Sequence, residues 1–352
     1  MFNNSRYIPY IFMFLIALFF ALAISALLKG PTNISVTQIS DILKEAIFSD
    51  FFYHHDNNNI IDWQRNIILD IRLPRLIIAL LAGASLALCG LVMQGMFRNP
   101  LASPSVLGVS SGASLGAVIA IYLGASLFSP WAIPLFAFIG AGLSLSLVYR
   151  IASSRGQTSV TTLLLSGVAV SALNVAAISL LLAISLSNWD VARMIIYWTM
   201  GGLDGRTWDH VFIILPIVCS GFILLLFYSK QLDLLLLGEQ HALSVGVDVR
   251  RTRRNLLIIS TAMVGASVSV VGGIGFIGLV VPHILRLLLG PSHRYLLPAS
   301  LLGGAIALLS ADLFLNTFFT DQAIPLGVVT AALGAPFFLF LLVKQRFVSG
   351  NL

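Results

Sequence analysis

Residues Ile71 to Gly116 read IRLPRLIIALLAGASLALCGLVMQGMFRNPLASPSVLGVSSGASLG, and their pattern decides the fold. An apolar run from about Pro74 to Met96 is long enough to cross a bilayer. The polar turn Arg98-Asn99-Pro100 follows, and a second apolar helix is expected to begin near Pro104. Both helices are rich in small residues. Gly108, Gly112 and Gly116 fall four apart, which would put them on one face and let another backbone approach closely. Polar atoms of Gln94, Asn99, Ser110 and Ser111 gather at one end of an otherwise apolar hairpin. Polar groups at membrane depth must pair or face a cavity. They could serve as helix–helix glue or line a path through the membrane.

Composition widens this reading to the whole chain. Of 352 residues, 58% are hydrophobic and only 10% are charged, more apolar surface than a soluble domain of this length can hide. The formal charge of +6 calls for no nucleic-acid partner; it suits basic loops on the cytoplasmic side of a membrane. Cys89 and Cys219 lie in apolar runs and read as packing residues. The first apolar run, Ile8 to Leu28, is longer than a signal-peptide core and has no clear cleavage site after it, so a retained helix is expected.

Taken in order, runs long enough to span fall near 8–28, 74–96, 105–127, 130–149, 161–186, 211–228, 255–274, 275–289, 296–315 and 325–343, about ten helices. Gly272, Gly273, Gly275, Gly278 and Pro282 predict a short or broken helix within 255–289. With the N-terminus inside, thirteen Lys and Arg fall on the cytoplasmic side and seven outside, so both termini are expected in the cytoplasm. Two outer segments are long. Residues 30–70 include His54, His55 and Asp56, a conceivable metal site better read as a solvated tract. Residues 187–210 carry Trp189, Tyr197, Trp198 and Trp208, which suit a membrane interface, with a short surface helix expected from Val191 to Met200.

Gly83-Ala84-Ser85, Gly90 and Pro100 recur at the same spacings as Gly265-Ala266-Ser267, Gly272 and Pro282. Under the assigned topology the two copies run in opposite directions, the arrangement of an inverted repeat around a central pathway. The expected class is thus all-α: a single polytopic membrane domain over 1–352, with repeat halves about 70–190 and 255–345. The cytoplasmic loop from Lys230 to Arg254 holds four consecutive leucines, Leu234 to Leu237, which suggest a covering partner, against the alternative of a solvated loop.

Several mechanisms lack their residues. No G-x-x-x-x-G-K-[ST] loop occurs, so the chain is not expected to hydrolyse ATP. The helix middles offer Asn174 and Gln94 but no acid or base for proton or sodium coupling. No residue set calls for a metal, a cofactor or covalent catalysis. A passive pathway driven by another protein remains.

Arg72-Leu73-Pro74-Arg75, Gln94, Asn99-Pro100-Leu101-Ala102-x-Pro104, Leu107-Gly108, Ser111-Gly112-Ala113, the run from Gly275 to Arg286, Ala311-Asp312, and Pro325 to Thr330 through Leu333-Gly334-Ala335-Pro336-Phe337 resemble the permease subunits of ABC importers for iron chelates and cobalamin. The match runs from about residue 70 to the C-terminus. The resemblance implies ten helices, a homo- or heterodimer with its pathway between protomers, two ATPase subunits below and a periplasmic binding protein above, in a bacterial inner membrane. It implies that Arg72 and Arg75 dock the binding protein, that Asn99, Leu101, Ser159 and Val160 close the inner gate, and that Gly238, Glu239, Ala242 and Gly246 receive the ATPase. Gln94, Gly108, Ser111, Gly112 and Gly116 would line or pack the pathway. Two positions depart from the family pattern: Asn316 stands where many relatives dock through Arg, and Ala323 where many carry Glu. The cargo expected is an iron(III) chelate, first a ferric siderophore, then heme or cobalamin, then molybdate.

Overall fold

The computed structural model describes residues 7–30, 32, 34–48, 62–154, 157–158, 160–319 and 322–349. The candidate metal tract at His54-His55-Asp56, and Ser159 of the expected gate, lie outside them. Fifteen α-helices are described: α1 Ile8–Leu28, α2 Val36–Phe48, α3 Asp62–Asn66, α4 Leu73–Phe97, α5 Val109–Tyr122, α6 Ala132–Ala152, α7 Val160–Ser185, α8 Trp189–Met200, α9 Trp208–Phe227, α10 Ser229–Leu237, α11 Glu239–Ser244, α12 Val249–Val271, α13 Ile277–Leu289, α14 His293–Phe318 and α15 Leu326–Ser349. The strand pairing described is a two-residue ladder, Ser153 with Thr158 and Ser154 with Gln157. Seven helical stretches are long and apolar enough to cross a membrane; three shorter apolar helices, at 109–122, 277–289 and 326–340, join them. The all-α membrane class read from the sequence holds, with about ten spans if the shorter helices are counted.

Helix α4 is the centre. Its second half is buried throughout, from Ala82 to Phe97, and it packs against α14, α13, α12 and α9. Lipid tails are as apolar as leucine, so helices in a bilayer gain little from hiding apolar surface and depend on close packing. Glycine supplies that here. A Cβ on Gly83 would overlap the carbonyl oxygen of Gly304 in α14, and one on Gly304 would overlap that of Gly83. A Cβ on Gly90 would overlap the carbonyl oxygen of Gly278 in α13. That carbonyl is available because Pro282, four residues on, has no N–H to donate to it. Helices α5 and α6 meet in the same way through Gly112, Gly140 and Gly116.

The chain enters α4 through a π-helical turn, Ile67–Arg72, continuous with α3. The Leu73 N–H goes to Ile68 O, and the next donor in that ladder would be Pro74, which has none. The indole N–H of Trp208 donates to the stranded Leu69 carbonyl at 2.9 Å. The break expected within 255–289 falls at 272–276: Gly272 (φ 72°) ends α12, and Phe276 (φ 65°) starts α13 from a left-handed conformation costly for an aromatic residue. Outside the main core, Ile34, Ile39, Ile42 and Ile68 form a small apolar cluster that seats α2 against the π-turn.

The shared face expected for Gly108, Gly112 and Gly116 needs correction. Pro104–Leu107 is a 3-10 turn, and Gly108 (φ 76°) caps it before α5 begins. Gly112 and Gly116 face α6, whereas Gly108 lies beside Val170, Gly167 and Ser171 of α7.

Gly90→Val is expected to cost at least about 3 kcal/mol, because the added atoms meet backbone and cannot be accommodated by a rotamer change. Gly142→Ala, with no atom within 4 Å of its new Cβ, should stay within about 0.5 kcal/mol. Melting temperatures of the two variants purified in detergent check this; equal losses would contradict it.

Candidate functional site

Polar side chains collect at the two ends of α4, about 37 Å apart at 1.5 Å per residue. At the N-terminal end, Arg75 donates from Nε to both Asp312 oxygens (3.2 and 3.1 Å) and from Nη2 to Oδ1 (2.8 Å). Its Nη1 donates to Asp204 Oδ1 at 2.7 Å. Asp312 is buried inside α14, and Asn316, one turn on, donates to its Oδ2 at 3.2 Å. Asp204, by contrast, is 80% exposed. Arg75 therefore ties α4 to α14 through a buried carboxylate and to the loop after α8 through a solvated one. In that loop, burial lowers the Arg206 pKa, an effect partly offset by the Asp204 charge.

Arg72 does not present itself for docking. It is buried; Nη1 donates to the carbonyls of Leu27 and Leu28 at 2.6 and 3.2 Å, and Nη2 to Thr32 O at 2.7 Å and Thr32 Oγ1 at 3.1 Å. The Leu27 and Leu28 carbonyls are ones that the end of α1 leaves without intrahelical donors, so Arg72 caps α1 from a distance. Asn316 likewise faces Asp312 within the chain. Of the three residues expected at the outer docking rim, Arg75 is the one whose geometry leaves an exposed partner, Asp204.

At the other end of α4, Arg98 (φ 51°) terminates the helix and Asn99 Oδ1 accepts from the Leu101 N–H at 2.9 Å, a tight Asx turn. Val160 begins α7 and packs against the main core. Between them the 3-10 turn is wedged against α7, where a Cβ on Gly167 would overlap the Val106 carbonyl. The loop between α9 and α12 forms two short helices. Gly238 (φ 125°) separates α10 from α11, and a Cβ there would lie 3.6 Å from Arg98 Nη1. Glu239 accepts from Arg253 Nη2 of α12 at 3.1 Å, Ala242 is fully buried, and Gly246 (φ 88°) turns the chain toward α12. The leucine run is less bare than expected. Leu235 is buried and Leu234 and Leu236 half-buried by the chain itself, leaving Leu237 exposed, as are Leu243 of α11 and Val245 just after it.

Sequence reasoning missed three pairings. Asn174 of α7 donates to Ser111 Oγ of α5 at 3.1 Å and to Ser144 Oγ of α6 at 3.0 Å, so Ser111 serves a buried three-helix network. Gln94 Nε2 donates to Leu279 O at 3.0 Å, binding α4 to α13. Asp233 of α10 accepts from the His293 N–H at 2.8 Å, has His293 Nδ1 2.6 Å from the same oxygen, and accepts from Ser292 Oγ at 3.4 Å. Burial alone would raise the Asp233 carboxyl, but these bonds outweigh it and hold it below the usual carboxylate range. Asp233 is then ionised, and His293 Nδ1 carries the proton it donates. Among the described residues no cluster of three or more His, Cys, Asp or Glu could hold a metal ion, and both cysteines are free.

The model of the FecCD transport family matches residues 14–344. The chain belongs to that family. It is 46% identical over 276 residues to the cobalamin import system permease BtuC of Halobacterium salinarum, covering 78% of this chain and 73% of that one. It is 41% identical over 295 residues to the hemin transport system permease HmuU of Yersinia pestis, covering 82% and 87%. The fold is similar to a solved metal-chelate type ABC transporter in an inward-facing conformation, with a TM-score of 0.83 and 32% identity over 96% of this chain and 99% of that one. The FecCD chain is thus a permease of the ABC importer class that handles iron chelates, heme and cobalamin, a class whose permeases dimerise and work with separate ATPase subunits.

The Arg75 cluster divides into a costly half and a cheap half. Arg75→Leu leaves the Asp312 carboxylate buried and unpaired and should cost about 3–5 kcal/mol, most of it recovered in the double variant Arg75→Leu/Asp312→Leu. Asp204→Asn should cost under about 1 kcal/mol because the carboxylate it removes is itself solvent-exposed and screened. Thermal melts of the three proteins check the order; a double variant no better than Arg75→Leu would contradict it.

Proposed function

We propose that this chain forms, with a second permease protomer, the membrane pathway of an ATP-driven importer for a metal-centred macrocycle of the cobalamin or heme kind. One observation carries the choice of cargo: relatives 41–46% identical over about four-fifths of the chain are named for cobalamin and hemin. That moves the reading away from the ferric siderophore expected from sequence alone. A cargo this large needs a wide path that binds weakly, and helices whose interiors offer glycine, serine and aliphatic side chains suit it. The chain lies in a bacterial inner membrane with both termini in the cytoplasm, a reading supported by Arg98, Lys230, Arg250, Arg251 and Arg254 at one end of the sequence-assigned topology.

A loaded binding protein docks on the outer face, where Arg75 holds the exposed carboxylate of Asp204. Glu239 to Gly246, with the exposed Leu237, Leu243 and Val245, receive the ATPase, and the turn at Asn99 and Leu101 with Ser159 and Val160 closes the path below. ATP hydrolysis belongs to the separate subunit. Two halves of inverted topology rock against each other. The similar order of helix lengths supports a repeat: 25, 14, 21 and 26 residues from α4 to α7 against 23, 13, 26 and 24 from α12 to α15.

Cells with and without this chain are supplied in turn with labelled cobalamin, heme and a set of ferric siderophores. Loss of uptake of one macrocycle, with siderophore uptake intact, is the expected result. Loss of a siderophore alone would replace the cargo, and no loss for any of the three classes would overturn the reading.

A further inference from the structure

The mechanism above requires force to reach the inner gate from the loop that receives the ATPase, and the Asp233–His293 pair lies between them. Asp233 sits on α10, the first element of that loop, and its Oδ1 takes both the backbone N–H and the ring Nδ1–H of His293. His293 is the first residue of α14, whose own N-cap, Ser292, makes no side-chain cap bond to the helix. Asp233 is therefore a helix cap supplied by another helix, with its negative charge at the positive end of the α14 dipole. Arg286 of α13 adds a positive charge near the same carboxylate.

The imidazole is fully buried, and its other face meets α4. A Cβ on Gly95 would lie 2.7 Å from His293 Nε2 and 3.4 Å from Leu232 of α10. Gly95 is three residues before Arg98, where α4 ends and the Asn99–Leu101 turn begins. A second contact runs in parallel, since Arg98 approaches Gly238 at the far end of α10. Helix α10 thus grips the base of α14 through a charged bond and the last turn of α4 through an imidazole seated on a glycine.

We propose that Asp233 and His293 are positioning residues that clamp the ATPase-receiving loop to the inner gate, so that a displacement of α10 moves the ends of α4 and α14 together. This rests on the importer reading above. Adjacency alone would not establish coupling, so the test measures gate movement directly.

The full chain is co-purified with its ATPase subunit in lipid nanodiscs, with Cys89 and Cys219 replaced by alanine and a spin label at Leu101→Cys. The distance between labels of the two protomers is read with and without ATP plus vanadate. The otherwise native protein should show a nucleotide-dependent change in distance. Asp233→Ala should lose most of that change while the ATPase subunit still co-purifies. Asp233→Asn, whose amide oxygen can still accept both bonds from His293, should keep it. Gly95→Ala attacks the same contact from the α4 side and should also lose it, so the test does not depend on one variant folding. A full change in both Asp233→Ala and Gly95→Ala would overturn the clamp. No change in the otherwise native protein would overturn the gate reading beneath it.

Discussion

Everything in this molecule depends on how closely α4 lies against its neighbours. In a bilayer there is no solvent to drive helices together, and the gain comes from packing and from polar groups that find one another. Gly83 on Gly304 and Gly90 on Gly278 bring backbones into direct contact, and Pro282 leaves a carbonyl for the second crossing. Such contacts have no side chains to rearrange, so α4, α14 and α13 form a body that tilts as a unit more readily than it deforms.

The polar chemistry is confined accordingly. Within the core, neutral groups meet neutral groups: Asn174 with two serines, Gln94 with a carbonyl. Ionised groups stand at the ends, and two of them act as caps supplied from elsewhere in the chain. Arg72 satisfies the carbonyls at the end of α1, and Asp233 the N-terminus of α14. Arg75 and Asp312 join α4 to α14 at one end, and His293 bears on α4 and begins α14 at the other. A pair of helices fastened at both ends transmits movement along its length, which a permease worked by a separate ATPase subunit requires.

Much of this was legible in the sequence because membrane burial writes itself in long apolar runs. The spans, the break at Gly272–Gly275, the surface helix near Val191 and the small-residue faces of Gly112 and Gly116 all follow from local pattern. What was not legible depends on partners distant in sequence. Arg72 and Arg75 look alike in Arg-Leu-Pro-Arg, yet one is spent on carbonyls 40 to 45 residues away and the other on carboxylates 129 and 237 residues away. Spacing alone places Gly108 on a helix face and cannot reveal that Pro104 begins a 3-10 turn there. The leucines at 234–237 read as uncovered because nothing local says that α10 folds back on α4 and α14. His293 carried no signal at all: a lone histidine after Pro291-Ser292 gives no hint of Asp233.

We read this chain as a passive pathway whose work is done by another subunit. The direct measurement is accumulation of labelled cobalamin or heme in liposomes that hold the chain alone, or the chain with its ATPase subunits and loaded binding protein. Accumulation is expected only in the complete assembly with ATP present, and none with the chain alone under a proton or sodium gradient. Gradient-driven accumulation by the chain alone would contradict it.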